Sequence, residues 1–454
     1  MSSPPLNPAQ LAKKHAPLYA SLRSRDADVA AAGLSRSPLH GWRTNLRPVD
    51  FNEYLNPPPP VFAVDALTGA IFLSEFTRER MPAVRVLDAT GAPMGEFPRD
   101  SLDFHAAPTD VENAPIMASQ WVACNVVPGM RTPPEARIIS LAVDAKRGVL
   151  WTASVCIVAE SDLARGARRG FVALSIAHTP ISRPRERVEV HNHFESIGDK
   201  KSENIDRVCF CELACHQESG TTFFLQRDAL HCIDSTGRVE LLTNLEDAKS
   251  VINPPLDVTE YTDFSSIMVL GDIVFLGMWT QTRTAIVSFR LEAPSATATL
   301  DDWVQACSTL RHMRENDAKL EVEFPTRVHM VAVPAWLLNI AHNRHLTDAA
   351  AEDKDSQATL VPCSLFSDFS AAAGVGGAVR RGPVPLRLAP LGEAKLTWGS
   401  IILSPHCETE SWEYITAFQY LTASGELLVT TKTTGRDDNS VSLRARLLRP
   451  LLEK

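Results

Sequence analysis

The chain has 454 residues, 44% of them hydrophobic and 22% charged, a balance that excludes global disorder and provides for a sizeable core. Its 45 Lys and Arg against 54 Asp and Glu leave a formal charge of -9, which excludes a general attraction for nucleic acid or anionic lipid and confines any polyanion site to a local patch. The longest apolar runs, Ile267 to Trp279 broken by Asp272 and Val328 to Ala341 broken by Pro334, are too short to cross a bilayer as helices.

The first thirty residues carry Lys13, Lys14, Arg23 and Arg25 without an uninterrupted apolar core, so a secretory signal is not expected. No acid precedes Asp26, and Leu11, Leu18, Tyr19 and Leu22 can share one helix face. That pattern fits either an N-terminal surface helix or a mitochondrial presequence. Nine cysteines, an odd number spread along the chain, suit reduced thiols. The expected location is therefore cytoplasmic, with mitochondrial as the alternative, and no membrane partner is expected.

Residues 1–60 read as an N-terminal extension with a helix from about Pro8 to Ala32. It ends in Pro57 to Pro60, a run that can enter neither a helix nor a central strand. Residues 61–454 then read as all-β. Val61 to Leu73 is an apolar run, an Asp65-Ala-Leu-Thr-Gly69 turn and a second apolar run. The Asp side chain can bond backbone amides two residues on, and Gly accepts the positive φ that closes the hairpin.

The unit returns at Val84 to Gly91 with Asp88, at Ile139 to Trp151 with Asp144 and Gly148, and at Leu230 to Leu242 with Asp234 and Gly237. A fainter copy without the Asp runs from Phe418 to Val429. One stretch predicts four consecutive strands: Arg207 to His216, Thr221 to Arg227, Leu230 to Ile233 and Val239 to Leu242. Four short antiparallel strands in about forty residues are what a propeller blade requires.

The segment Thr221 to Thr243 resembles the blade repeat of quinoprotein (PQQ-like) propellers and their WD40-like, non-enzymatic relatives. Ile139 to Trp151 matches the pattern best, with Trp151 at the position of the family's docking tryptophan. The resemblance implies a β-propeller; residues 61–454 have room for about seven four-stranded blades. Insertions are expected near 160–205, 301–320 and 335–382. Within them Asp301 to Lys319 and Ala335 to Ala351 have helical character, and Ser370 to Gly382 is rich in Ala and Gly. Two stacked β-sandwich or barrel domains are the rival architecture.

Cys209, Cys211, Cys215 and His216, with His191 and His193 upstream, gather ligand types that suit zinc. Cys-x-x-Cys knuckles are absent. In a strand, Cys209, Cys211, Leu213 and Cys215 share one face, as small core residues do. Arg165, Arg168, Arg169, Arg183, Arg185 and Arg187 are the strong local basic excess, fit for an acidic partner, a phosphate or RNA, or simply a solvated loop. Hydrolase elbows, zincin helices and phosphate loops are missing, and Gly374-Val-Gly376-Gly377 follows no clear strand. A quinone-dependent dehydrogenase would imply an export signal and often adjacent cysteines, neither of which is read here. Asp110, Glu112 and Asp206 are candidates for a channel lining, and Trp279, Trp303, Trp336, Trp398 and Trp412 read as packing residues.

These features favour a non-catalytic scaffold that binds protein partners in a larger assembly, without a cofactor. The alternatives are a propeller enzyme, hydrolase or oxidoreductase, with its site at the central channel, and an RNA-associated subunit using the arginine segment.

Overall fold

The computed structural model describes residues 35–44, 61–76, 82–87, 93–96, 135–158, 170–183, 186–197, 210–253, 262–280, 284–313, 329–334, 360–367, 385–390, 399–402, 412–421, 426–434 and 441–448. The stretches expected as helices at Pro8 to Ala32 and Ala335 to Ala351 lie outside them. So do the Asp88 corner and the Ser370 to Gly382 segment.

Among the described residues the strands form six antiparallel four-stranded sheets. The first holds β2 (Phe62–Val64), β3 (Ile71–Phe76), β4 (Pro82–Leu87) and β5 (Pro93–Glu96). The second holds β6 (Glu135–Asp144), β7 (Val149–Val158), β8 (Gly170–Pro180) and β9 (Val188–Ile197). The third is β10 (Glu212–Cys215), β11 (Thr222–Leu225), β12 (Ala229–Ile233) and β13 (Val239–Asn244), the four-strand unit expected from its turns, with a shorter first strand. The fourth contains β14 (Thr262–Leu270), β15 (Ile273–Thr280), β16 (Thr284–Arg290) and β17 (Arg311–Met313). The fifth contains β18 (His329–Pro334), β19 (Leu360–Ser367), β20 (Pro385–Pro390) and β21 (Gly399–Ile402).

The last sheet combines β22 (Trp412–Leu421), β23 (Glu426–Thr434) and β24 (Val441–Leu448) with β1 (Ser35–Thr44), in the order β1-β24-β23-β22. β1 thus lies in the stretch expected as an appendage, yet it is the outer strand of the final sheet, paired from Ser35 with Leu448 to Thr44 with Val441.

The first strands of successive sheets abut one another in order, β2 on β6, β6 on β10, β10 on β14, β14 on β18 and β18 on β22. Leu428 of β23 packs with Ile71, Leu73 and Leu87 of the first sheet, which brings the last sheet back to the first. The arrangement is a β-propeller of six sheets among the described residues. Seven was the expectation; the described residues form six, and the region expected to be an insertion near 160–205 supplies β8 and β9 to the second sheet. Long strands also use up more chain per sheet: β6 to β9 have 10 or 11 residues each.

An inner strand covered on both faces is apolar without alternation, as β11 is, whereas the outer strand β13 keeps polar and exposed positions. Thr222 to Leu225 is buried at every position. Cores form between neighbours. Trp151, Leu174 and Ile176 pack against Cys211, Leu213 and Phe224 in the seam between the second and third sheets. Phe223, Leu230 and Cys232 meet Phe264, Leu276 and Phe289 in the next seam.

Two helices plug that next seam. The short α1 (Leu245–Ser250) is N-capped by Asn244, which accepts from the Asp247 amide. α2 (Leu300–Cys307) starts in a capping box between Thr299 and Asp302 and buries Leu300, Trp303, Ala306 and Cys307. The expectation of a helix from Asp301 to Lys319 is corrected: the apolar stripe ends at Cys307, and Arg311–Met313 joins the fourth sheet as β17.

Candidate functional site

Because consecutive strands alternate in direction, the first-to-second corners at Asp65 and Asp144 and the third-to-fourth corner at Asp234 fall on one rim. The Asp-Gly repeat builds these corners. Asp65 Oδ1 accepts from the amides of Leu67 (2.8 Å) and Thr68 (3.2 Å), Asp144 Oδ1 from Arg147 (3.1 Å), and Asp234 Oδ1 from Thr236 (2.8 Å) and Arg238 (3.1 Å). Gly69, Gly148 and Gly237 close them at φ of 74°, 61° and 86°.

A cleft of about 320 Å³ opens on this rim where the second and third sheets meet α2. Its walls are Arg147, Trp151 and His178 of the second sheet, the Ser219–Gly220–Thr221 and Asp234 corners of the third, and Thr299 and Leu300 at the start of α2. The corners are tied across the seam. Arg147 pairs with buried Asp144 (3.1 Å) and donates to the carbonyls of Gln217 (3.1 Å) and Glu218 (2.8 Å). Gln217 accepts from the Ala145 amide and donates to the Val143 carbonyl, both at 2.8 Å. Lys146 pairs with Glu218, and Arg238 bridges Glu240 (2.9 Å) to Asp301 (2.8 Å). Gly220 has a φ of +77°, which favours glycine, and a Cβ there would meet the Arg147 guanidinium at 2.5 Å and displace it.

Behind the cleft, His216 lies in the third-to-fourth seam, 2% exposed. Its Nδ1 accepts from the Ser219 amide (3.1 Å), so the neutral ring carries its proton on Nε2 and directs it at Asp272 Oδ1 (3.3 Å). Ser219 Oγ lies 2.8 Å from Nδ1, and Ser295 Oγ donates to Asp272 (2.6 Å). Burial lowers the His216 pKa against the opposing pull of Asp272. Serine, histidine and aspartate here form a brace rather than a nucleophile relay. Ser219 Oγ is also committed to Thr221, accepting from its amide (3.2 Å) and reaching its hydroxyl (2.9 Å), and Trp303 packs edge-on against the His216 ring at 4.9 Å.

Of the proposed zinc ligands, the described ones, Cys211, Cys215 and His216, do not converge. Cys211 and Cys215 point with Leu213 into the seam beside Trp151 and Phe224, while His216, one position on, faces the opposite seam. Burial raises both thiols, Cys215 to about 12, which disfavours the thiolate a metal needs. Among the described residues no His, Cys, Asp and Glu cluster has metal-site geometry. Cys209 lies outside them.

Of the arginine segment, Arg165, Arg168, Arg169 and Arg185 lie outside the described residues. Arg183 pairs with Glu186 (2.7 Å), and the largely buried Arg187 with Glu189 (2.8 Å). Both described cations are thus engaged within the chain, which argues against a free polyanion surface at these two positions. Asp110, Glu112 and Asp206 also lie outside the described residues. Trp303 is a packing residue as expected, fully buried against Phe223 and Phe289.

The cleft itself was not expected. Its signal was present in the Asp144 and Asp234 corners, but only pairing of the strands shows that the two corners and Ser219 meet at one seam. No helix among the described residues is long and apolar enough to cross a membrane.

No protein-family profile matches the chain, and no curated protein matches it. Among solved structures, the chain is similar to the Trypanosoma rangeli sialidase in complex with 2,3-difluorosialic acid, with 7% identity, a TM-score of 0.34, and 86% of this chain and 53% of that chain covered. It is also similar to S. cerevisiae core factor, with 10% identity, a TM-score of 0.33, and 94% of this chain and 64% of that chain covered. The chain therefore spans about half of the sialidase chain and less than two thirds of the core factor chain. At these TM-scores neither match transfers an activity or a partner.

Proposed function

We propose that this protein is a non-catalytic scaffold whose propeller presents the outer mouth of the second-to-third seam to a protein partner. The observation that carries the reading is the pair Val188 and Leu241, large aliphatic side chains 46% and 52% exposed. Val188 stands opposite His178 on β9, and Leu241 opposite His231 on β13. Facing residues of antiparallel strands share a side, so both turn toward the same seam from adjacent sheets. Exposed aliphatic groups that flank one groove suit a protein contact better than a polar substrate.

The paired charges of the rim cleft support the same reading, since Arg147, Lys146 and Arg238 are held by acids and carbonyls of the chain itself. The corner repeat, which resembles quinoprotein-type and WD40-like blades, is then a device for stacking sheets. On this reading the protein works within a larger assembly in the cytoplasm.

The test is affinity capture with quantitative mass spectrometry of the wild type against the V188E/L241E pair, with circular dichroism confirming an unchanged fold. The proposal expects a defined set of proteins to be lost at least about fivefold from the variant, the effect of roughly 1 kcal/mol of interface energy. Identical captures from the two proteins would sink it.

A further inference from the structure

Four imidazoles belong to the seam between the second and third sheets. His178 packs on Trp151, with ring centroids 5.1 Å apart. His191 and His231 lie against Phe224, with centroid distances of 5.1 Å and 4.7 Å, and the His231 ring is stacked on it at an interplanar angle of 7°. His191 stands opposite Ile176, a core residue of this seam, and His193 opposite Leu174, another. The Nε2 of His178 and the Nδ1 of His231 are buried without a hydrogen-bond partner among the described residues.

We propose that this seam is an acid-sensitive hinge: the imidazoles of His178, His191 and His231 pack as neutral aromatic rings, and protonating them parts the second sheet from the third along β9 and β12. An uncharged imidazole stacks on Phe224 as a hydrophobic ring. The imidazolium brings a charge into an apolar seam, and a buried, incompletely paired charge is costly.

Among the described residues the surrounding charges do not relieve it. On β9 itself, Glu189 is paired with Arg187, and it stands opposite Ala177, one position from the seam-facing residues. On β13, Glu240 stands opposite Cys232 rather than His231, and it is paired with Arg238. From β10 the seam receives the thiols of Cys211 and Cys215, and at the rim Asp144 is held by Arg147. Asp228, just before β12, favours the charged form of His231, and the backbone of Ser235 that of His178. Both are outweighed by burial, and His193 and His231 oppose the charging of His191.

The inference does not rest on the scaffold reading. Its test is hydrogen exchange of the full chain read by mass spectrometry at pH 7 and pH 5, corrected for intrinsic exchange. Peptides of β9 and β11 to β13 are expected to lose protection about tenfold at pH 5 relative to β14 to β16. The H191F/H231F pair, whose rings stay neutral, should hold its protection; if that pair does not fold, H191Q/H231Q takes its place with the same expectation. The hinge is overturned if β9 and β12 change no more than β14 to β16, or if the substituted protein loses protection as the wild type does.

Discussion

Trp303 offers the sharpest check on how the sheets are held together. It projects from α2 into the seam between the third and fourth sheets, has no exposed surface, and meets His216, Phe223 and Phe289 edge-on at 4.9, 4.9 and 6.4 Å. Truncation to Ala removes the ring and leaves a cavity that a capped helix and two sheets cannot collapse to fill, at a cost of about 3–5 kcal/mol. Replacement by Phe gives a different balance. It forfeits roughly 1–2 kcal/mol of buried apolar surface. It also removes an indole N–H that has no partner among the described residues, relieving about 1–3 kcal/mol. The two terms nearly cancel, so Trp303→Phe should lie within about 1 kcal/mol of the wild type while Trp303→Ala falls far below it. Urea unfolding with both midpoint and slope recorded would show this, the slope staying constant. A Phe variant as unstable as the Ala variant would falsify the account of Trp303 as an apolar plug.

Further outcomes follow from the corners and the seams. Gly220→Ala should lose about 1–3 kcal/mol in the same assay, because a Cβ would be forced against the Arg147 guanidinium at a positive φ; an unchanged midpoint would remove the clamp from the argument. Leu428→Ala should lower stability by about 2–5 kcal/mol, since Leu428 packs with Ile71, Leu73 and Leu87 where the last sheet meets the first; a loss below about 1 kcal/mol would argue against closure there. Cys215, Cys232 and Cys307, raised by burial to about 12, should resist iodoacetamide at pH 8 in the native state and react on unfolding; rapid native labelling would refute their core placement.

Stability should also depend on pH through His191, which burial, and then His231 and His193, lower from 6.5 to about 4. Above pH 6.5 both states are neutral and its contribution is fully present. As the pH falls from 6.5 toward 4 the unfolded chain takes the proton first, so stability drops, on the order of 3 kcal/mol for this group, and then levels. His178 and His231 are lowered in the same direction. Urea midpoints between pH 7 and pH 4.5 should fall less steeply in H191F, and equal slopes would contradict the assignment.

The local grammar of this protein was readable from its residues. Asp65, Asp144 and Asp234 with Gly69, Gly148 and Gly237 specify their corners, because a carboxylate that bonds amides two to four residues away and a glycine at positive φ are sufficient over five residues. Cys211, Leu213 and Cys215 were readable as one buried face for the same reason of short range, since a strand repeats every two residues.

The number of sheets was not readable, because it depends on where β8 and β9 pair and on β1 returning to β24 across the length of the chain. Neither was the site. Ser219 reaches His216 within one turn and His231 faces Phe224 across one hairpin, but Asp272 reaches His216, and His191 reaches Phe224, only because residues far apart in sequence converge when neighbouring sheets stack. Hydrogen-bond reach along the chain is local and leaves its mark in spacing. Burial between sheets is collective, and it decided which histidines resist protonation, which cysteines are inert and where a cleft opens.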